Sequence, residues 1–233
     1  MSKSHRKVLL IVLHLLLFLF GAWGVLAAVF NVLDCDHDRW NQGWKVFKFF
    51  TNDANIFASI IGLSIAVFHI IHFKDEKVLP AILRIGHFVA TCMLVMVLLT
   101  VVTTLLNAFP LVILFGFPSF LFLHTLSPLL CLALFLFADR EPIPWNKAVI
   151  ADIPFLIYAI VWIAVLLILN LPPEVEIRND VTPYFFLSIH NQPWYISVLW
   201  FIGLLLVQTG IAFLLLLLRN RPWNMAKRQR CKS

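Results

Sequence analysis

The sequence predicts an all-α integral membrane protein: a single domain, residues 1–233, built as a bundle of six transmembrane helices with both termini in the cytoplasm. Three observations carry that prediction. The chain is 61% hydrophobic and 13% charged, with a mean hydropathy of +0.92, whereas soluble domains are roughly 45–50% apolar and about 25% charged. Apolar runs long enough to cross a bilayer, about twenty residues each, recur six times. Basic residues cluster at the two ends and in alternate turns between the runs.

The first span is residues 8–30, after a short basic tail. A secretory signal core is about 7–15 residues, so this longer run is expected to stay as a span. Residues 31–48 form a polar loop. The second span, 50–73, ends at a charged turn, Lys74-Asp75-Glu76-Lys77. The third, 79–108, exceeds the minimum crossing length and must tilt or project. Phe109-Pro110 and Phe117-Pro118 bracket an uncharged loop, followed by the fourth span at 119–138. A second charged turn leads to the fifth span, 148–169, with Pro154 in its first turns. The longest loop is acidic. The sixth span, 193–218, opens with Trp194 and Tyr195, residues suited to the membrane interface.

Charge sets the expected topology. The amino end, the 2–3 and 4–5 turns (with Arg84) and the carboxyl tail hold fourteen of the eighteen Lys/Arg. The opposite side holds Arg39, Lys45, Lys48 and Arg178. Positive residues mark the cytoplasmic side, so both ends are expected there. The net charge of +6 is read as topology signal and anionic-lipid contact, not as a nucleic-acid surface. The short turns make spans 2–3 and 4–5 antiparallel neighbours.

Polar residues inside spans are costly and therefore informative. Thr51, Asn52, Asp53 and Asn55 stand at the head of span two. Thr100, Thr103, Thr104 and Asn107 end span three at the same depth. His124, early in the descending fourth span, lies about 10 Å below that boundary. Thr51, Asn55, Ser59 and Gly62 share one helix face. His124, Ser127, Pro128 and Cys131 form a second face of small residues. Small polar faces pack against helices rather than lipid, so the two are expected to meet around one cavity. Asp53 points about 200° from Thr51 and is expected to serve the interface. A hydroxyl with an imidazole in reach is a nucleophile–base pair, and amides can stabilise an oxyanion. The plain alternative is interhelical hydrogen bonding alone.

Four short motifs occur in order: Phe50-Thr51-x-x-x-Asn55, His124-x-x-x-Pro128, Pro154-x-x-x-Tyr158 and Pro183-Tyr184-x-Phe186. With six spans and this length, the chain resembles the bacterial six-span "Pr-six-Pr" membrane proteins. These in turn resemble the eukaryotic androgen-induced and androgen-dependent hydrolases of fatty-acid esters of hydroxy fatty acids. The resemblance implies Thr51 and His124 as catalytic residues, and Asn55 and Tyr184 as substrate or oxyanion contacts. It implies a lipid-ester substrate, membrane lipids as the surroundings, and a bacterial plasma membrane. Ser188 stands where many bacterial members carry an acidic residue.

Other clusters are read as ordinary. Asp34, Asp36 and Asp38 lack the Gly and distant Glu of a calcium loop and are solvated loop charge. His69, His72 and His87 share a depth but lack an acidic or Cys ligand, and are read as interfacial. Asp152 and Arg84 are expected to pair or snorkel. His190 is read as a loop histidine. Cys35, Cys92, Cys131 and Cys231 show no metal spacing. No phosphate loop, dinucleotide fingerprint, nucleophile elbow or zinc-protease motif occurs, and no metal or cofactor is expected.

Overall fold

A computed structural model describes residues 3–30, 32, 43–75, 77–105, 118–138, 141–169, 184 and 192–230. Within these the chain is helical. The principal helices are α1 (Lys3–Phe30), α2 (Phe50–Ile71), α3 (Ala81–Thr100), α4 (Ser127–Phe137), α5 (Ile153–Leu169) and α6 (Trp194–Arg230). A 3-10 helix, Gly43–Lys48, precedes α2, and another, Trp145–Asp152, leads into α5. A π-helical turn, Val101–Leu105, continues α3. One α-turn, Pro118–Leu121, and a π-helical turn, Phe122–Leu126, precede α4.

Prolines set several of these starts. Pro80 is extended in ψ and its ring fixes φ, so it stops the preceding turn and launches α3. Gly43 opens its 3-10 helix at φ +63, a conformation open to a residue without Cβ.

Among the described residues, six helices are long and apolar enough to cross a membrane. The distribution of side chains agrees with that. Ile82, Phe137 and Ile168 are among the most exposed residues, at 79%, 75% and 80%. His14, Asn55, His87, Thr91, Ser127 and Gln208 are buried. A water-soluble fold reverses this pattern. The chain is an integral membrane protein.

The bundle is arranged around α3. Of its apolar window 61% is buried, against 28% to 39% for the other spans. Phe88 and Leu94 of α3 pack with Phe135 of α4 in the core. The most extensive helix pairing is α1 with α2, followed by α2 with α3 and α3 with α4. The second and third spans are neighbours, as their short turn predicts. The fourth and fifth are not extensively paired. The 3-10 lead of α5 packs instead on α6 and α3, because Gln208 donates to the Ala151 carbonyl at 3.2 Å and Thr209 to Asp152 at 2.8 Å. Arg84 therefore does not meet Asp152; it pairs with Glu141 at 3.4 Å.

The basic residues near both termini have local work. The Lys7 ammonium donates to the carbonyls of His72, Phe73 and Asp75, beyond the end of α2. Arg6 donates to the Ala138 carbonyl at 3.1 Å. Arg219 donates to the carbonyls of Phe135 at 2.8 Å and Glu141 at 3.0 Å, with its guanidinium 4.5 Å from the Phe135 ring centre. The last carbonyls of a helix lack partners and carry partial negative charge, so cations from other helices close them. The two termini of the bundle thus share one end. Arg219→Ala is expected to lower stability by about 2 kcal/mol, because a buried carbonyl left unpaired costs on the order of 1–3 kcal/mol. Arg221→Ala, on an exposed residue, is expected to shift the thermal midpoint little. Melting curves of both purified variants check this.

Candidate functional site

The site is built where α2 meets the turn before α4. Pro128 is the cause of its geometry. A proline inside a helix lacks an N–H and its ring collides with the carbonyl four residues back, here that of His124. The helix widens ahead of it: the Ser127 N–H donates to the Phe122 carbonyl, five residues back. That leaves the Leu123 carbonyl without a donor on its own helix. Its α-helical partner, the Ser127 N–H, is already taken. Its π-helical partner would be residue 128, which has no N–H to give.

Asn55 fills that gap. Its amide donates to the Leu123 carbonyl at 3.0 Å and to the Thr51 carbonyl at 2.8 Å. Asn55 is fully buried. Both amide protons are thereby used, and they tie the Thr51 backbone to the turn that bears His124. Its Oδ1, the Ser59 and Ser127 hydroxyls and His124 Nδ1 are buried without hydrogen-bond partners among the described residues.

Two glycines of α1 let the joint close. A Cβ on Gly21 would lie 2.9 Å from the Asn55 carbonyl and 2.2 Å from the Ser59 hydroxyl. A Cβ on Gly24 would lie 2.7 Å from the Leu123 side chain. The small face of α2 expected to line a cavity therefore packs against α1. His124 leaves the π-helical turn with its ring stacked on Phe120, centres 5.1 Å apart.

Thr51 lies in the first turn of α2 and is half-buried. Its hydroxyl partners the Tyr184 phenol. Tyr184 is contributed by the segment between α5 and α6, and is half-buried with its hydroxyl end turned inward. Its ring sits against Phe49 at 6.3 Å and Tyr158 at 6.4 Å, between centres. Tyr158 in turn donates to the Lys48 carbonyl at 2.5 Å and packs edge-on against Phe50. An aromatic wall thus surrounds the Thr51–Tyr184 pair. Burial pushes the Tyr184 phenol up to about 12, against the smaller lowering effect of the hydrogen bond from Thr51; the nearby Asp53 carboxylate adds to the rise.

The expected residues divide into two groups. Thr51, Asn55 and Tyr184 are joined by hydrogen bonds. His124 follows the carbonyl that holds Asn55. No hydrogen bond joins the Thr51 hydroxyl to His124 among the described residues. Thr100 and Thr103 turn their hydroxyls back to their own helix, to Met96 and Leu99 at 2.9 and 2.8 Å. Asn107, the Asp34–Asp38 cluster, Cys35, Cys231, Arg178, Ser188 and His190 lie outside the described residues.

Sequence reasoning missed three contributors. Gly21 and Gly24 carried a readable signal, small residues three apart on one helix face. Pro128 was noted as a motif position without its effect on the Leu123 carbonyl. Among the described residues no group of three His, Cys, Asp or Glu is placed to hold a metal ion. His72 instead faces Asp75 at 3.5 Å, while His69 and His87 both approach His14, a residue the sequence did not single out. No family model, curated protein or solved structure matches the chain.

Proposed function

We propose that this chain is an intramembrane hydrolase or acyl-transfer enzyme acting on lipid esters, with Thr51 as nucleophile. The observation that carries the reading is the Thr51–Tyr184 hydroxyl pair, enclosed by aromatic rings at one end of a membrane bundle. The charge count supports an outer-face position for that end, with both termini cytoplasmic, and the resemblance supports a bacterial plasma membrane. The resemblance to the six-span hydrolases supports the same residues.

The chemistry follows from the residue types. His124 takes the Thr51 proton through a bridging water, and Thr51 Oγ1 attacks the ester carbonyl carbon. The carbonyl π-electrons move to oxygen. Tyr184, neutral at physiological pH, donates to that oxyanion. Collapse breaks the ester C–O bond, and the leaving alkoxide takes the proton held by His124. Water then attacks the acyl-threonine, with His124 as base, and releases a carboxylic acid and free Thr51. Asn55 holds the two helices in register throughout.

Tyr184→Phe is expected to lower turnover about a hundredfold, the usual cost of one lost oxyanion donor, with little change in fold. The raised phenol value gives a sign for pH. The folded state keeps the proton longer than the unfolded chain, whose phenol titrates near 10. Its contribution to stability and turnover is therefore complete below pH 10 and is lost as pH rises towards about 12. An alkaline limb centred near 10 that vanishes in Tyr184→Phe would contradict this.

A second reading is a non-catalytic six-span protein, a small transporter or an assembly component. The missing Thr51–His124 hydrogen bond favours it. Ester hydrolysis by purified protein in lipid, compared across wild type, Thr51→Ala and His124→Ala, separates the two. Unchanged turnover in the variants would sink the catalytic reading.

A further inference from the structure

The chain bends just ahead of Thr51. The 3-10 helix ends at Lys48, Phe49 is extended at φ −92 and ψ 125, and α2 begins at Phe50. The Phe49 carbonyl opens the α2 ladder, accepting from the N–H groups of Asn52 at 3.0 Å and Asp53 at 3.5 Å. Two side chains hold the bend. The Asn52 amide donates to the Val46 carbonyl at 2.6 Å, a contact within the same segment. The Tyr158 phenol reaches across from α5 and donates to the Lys48 carbonyl at 2.5 Å, 110 positions away. Tyr158 is buried. Its ring centre lies 5.3 Å from that of Phe50 and 6.4 Å from those of Tyr184 and Trp162. One side chain therefore touches both halves of the hydroxyl pair: the backbone that leads into Thr51, and the ring that carries the second hydroxyl.

We propose, on the basis of the hydrolase reading of Thr51, that Tyr158 is a positioning residue for that reaction: it sets the distance between the Thr51 nucleophile and the Tyr184 oxyanion donor. Its phenol fixes the Lys48 carbonyl, three residues before Thr51, and so the direction in which α2 starts. Its ring, backed by Trp162 one turn further along α5, fixes the Tyr184 ring. Thr51 and Tyr184 come from different segments, and a hydrogen bond between two hydroxyls tolerates only a few tenths of an ångström. Without the Tyr158 donor the bend is held from one side alone, by Asn52, and the first turn of α2 is free to shift against Tyr184. A buried phenol needs an acceptor whatever its role. That need accounts for the Lys48 contact, but not for the ring of the same residue lying against Tyr184.

The test is hydrolysis of a p-nitrophenyl fatty ester by the full chain in lipid nanodiscs, with kcat counted per folded protein. Tyr158→Phe keeps the ring and removes only the donor. It is expected to lower kcat about tenfold and to leave KM within about twofold, because a misplaced reacting group costs rate, up to about a hundredfold, without costing substrate binding. A cycle with Tyr184→Phe supplies the readout that a structural role would not move. If Tyr158 acts through the Thr51–Tyr184 distance, Tyr158→Phe lowers kcat less than about twofold once the Tyr184 hydroxyl is gone. Should Tyr158→Phe fail to fold, Phe50→Leu removes the ring that seats Tyr158, touches neither hydroxyl, and carries the same kcat and cycle measurements. Unchanged kcat in Tyr158→Phe beside an active wild type overturns the positioning role alone. So does an equal loss in both backgrounds, which would mark Tyr158 as a structural contact. A wild type that does not hydrolyse the ester sinks the Thr51 reading, and this role with it.

Discussion

Thr51→Ala is expected to lower ester hydrolysis by at least about a thousandfold, roughly 4 kcal/mol of transition-state stabilisation. The magnitude follows from the role: without the hydroxyl no acyl-threonine forms, and only water positioned by the remaining groups can attack. Thr51→Ser keeps an oxygen at the same branch and is expected to retain much of the rate. Both variants should fold, because the Asn55 amide is held by the backbone carbonyl of residue 51 rather than by its side chain. Melting temperature measured beside turnover therefore separates lost chemistry from lost structure. If Thr51→Ala hydrolyses esters at the wild-type rate, the aromatic-walled pair is structural, and the non-catalytic reading takes its place.

Asn55→Leu is expected to cost about 3 kcal/mol of stability. It removes both donors from a fully buried residue. The Leu123 carbonyl then has no partner, in an interior where an unsatisfied backbone group costs several kcal/mol. Turnover is expected to fall with stability, because the turn bearing His124 is no longer held against α2. Thermal or denaturant unfolding in a fixed detergent checks the first effect. A midpoint equal to wild type would mean that the joint contributes nothing.

The six spans were legible because lipid imposes a crude rule, about twenty apolar residues per crossing, and this chain obeys it with few exceptions. The shared small face of Thr51, Asn55, Ser59 and Gly62 was legible from helical period. What it packs against was not. Period shows which side of a helix is special, but not whether a cavity or another helix covers it; here α1 does, through Gly21 and the backbone at His14. Helix boundaries shifted for local reasons. The fifth span begins earlier, at Trp145, because a 3-10 lead precedes it, and the sixth runs on as helix to Arg230.

The basic ends illustrate a different limit. Charge counting reads Arg6, Lys7 and Arg219 as signals to the membrane. In the fold they also close the carbonyl ends of α2 and α4, contacts between residues 65 to 132 positions apart. Pairings of that range leave no trace in one sequence. Tyr184 is similar: its motif position was visible, but its place beside Thr51, more than a hundred positions away in the chain, was not.

Pro128 is the most instructive case. A proline four residues after a histidine looks like a motif, but its effect is on a third residue. It denies the Leu123 carbonyl a donor, and Asn55, 68 positions away, supplies one. Two of the four short motifs are thereby parts of one interhelical joint. This joint fixes where Thr51 and His124 stand relative to each other.

The most direct test of that joint is a double-mutant cycle between Asn55→Leu and Pro128→Ala, read by unfolding free energy. Pro128→Ala restores an N–H and lets the helix satisfy its own Leu123 carbonyl, so Asn55 becomes dispensable there. The cost of Asn55→Leu is expected to fall by about 1–2 kcal/mol in the Pro128→Ala background, a coupling within the range measured for residues sharing one network. The same cost in both backgrounds would show that Asn55 does not answer the gap left by Pro128, and would contradict the account.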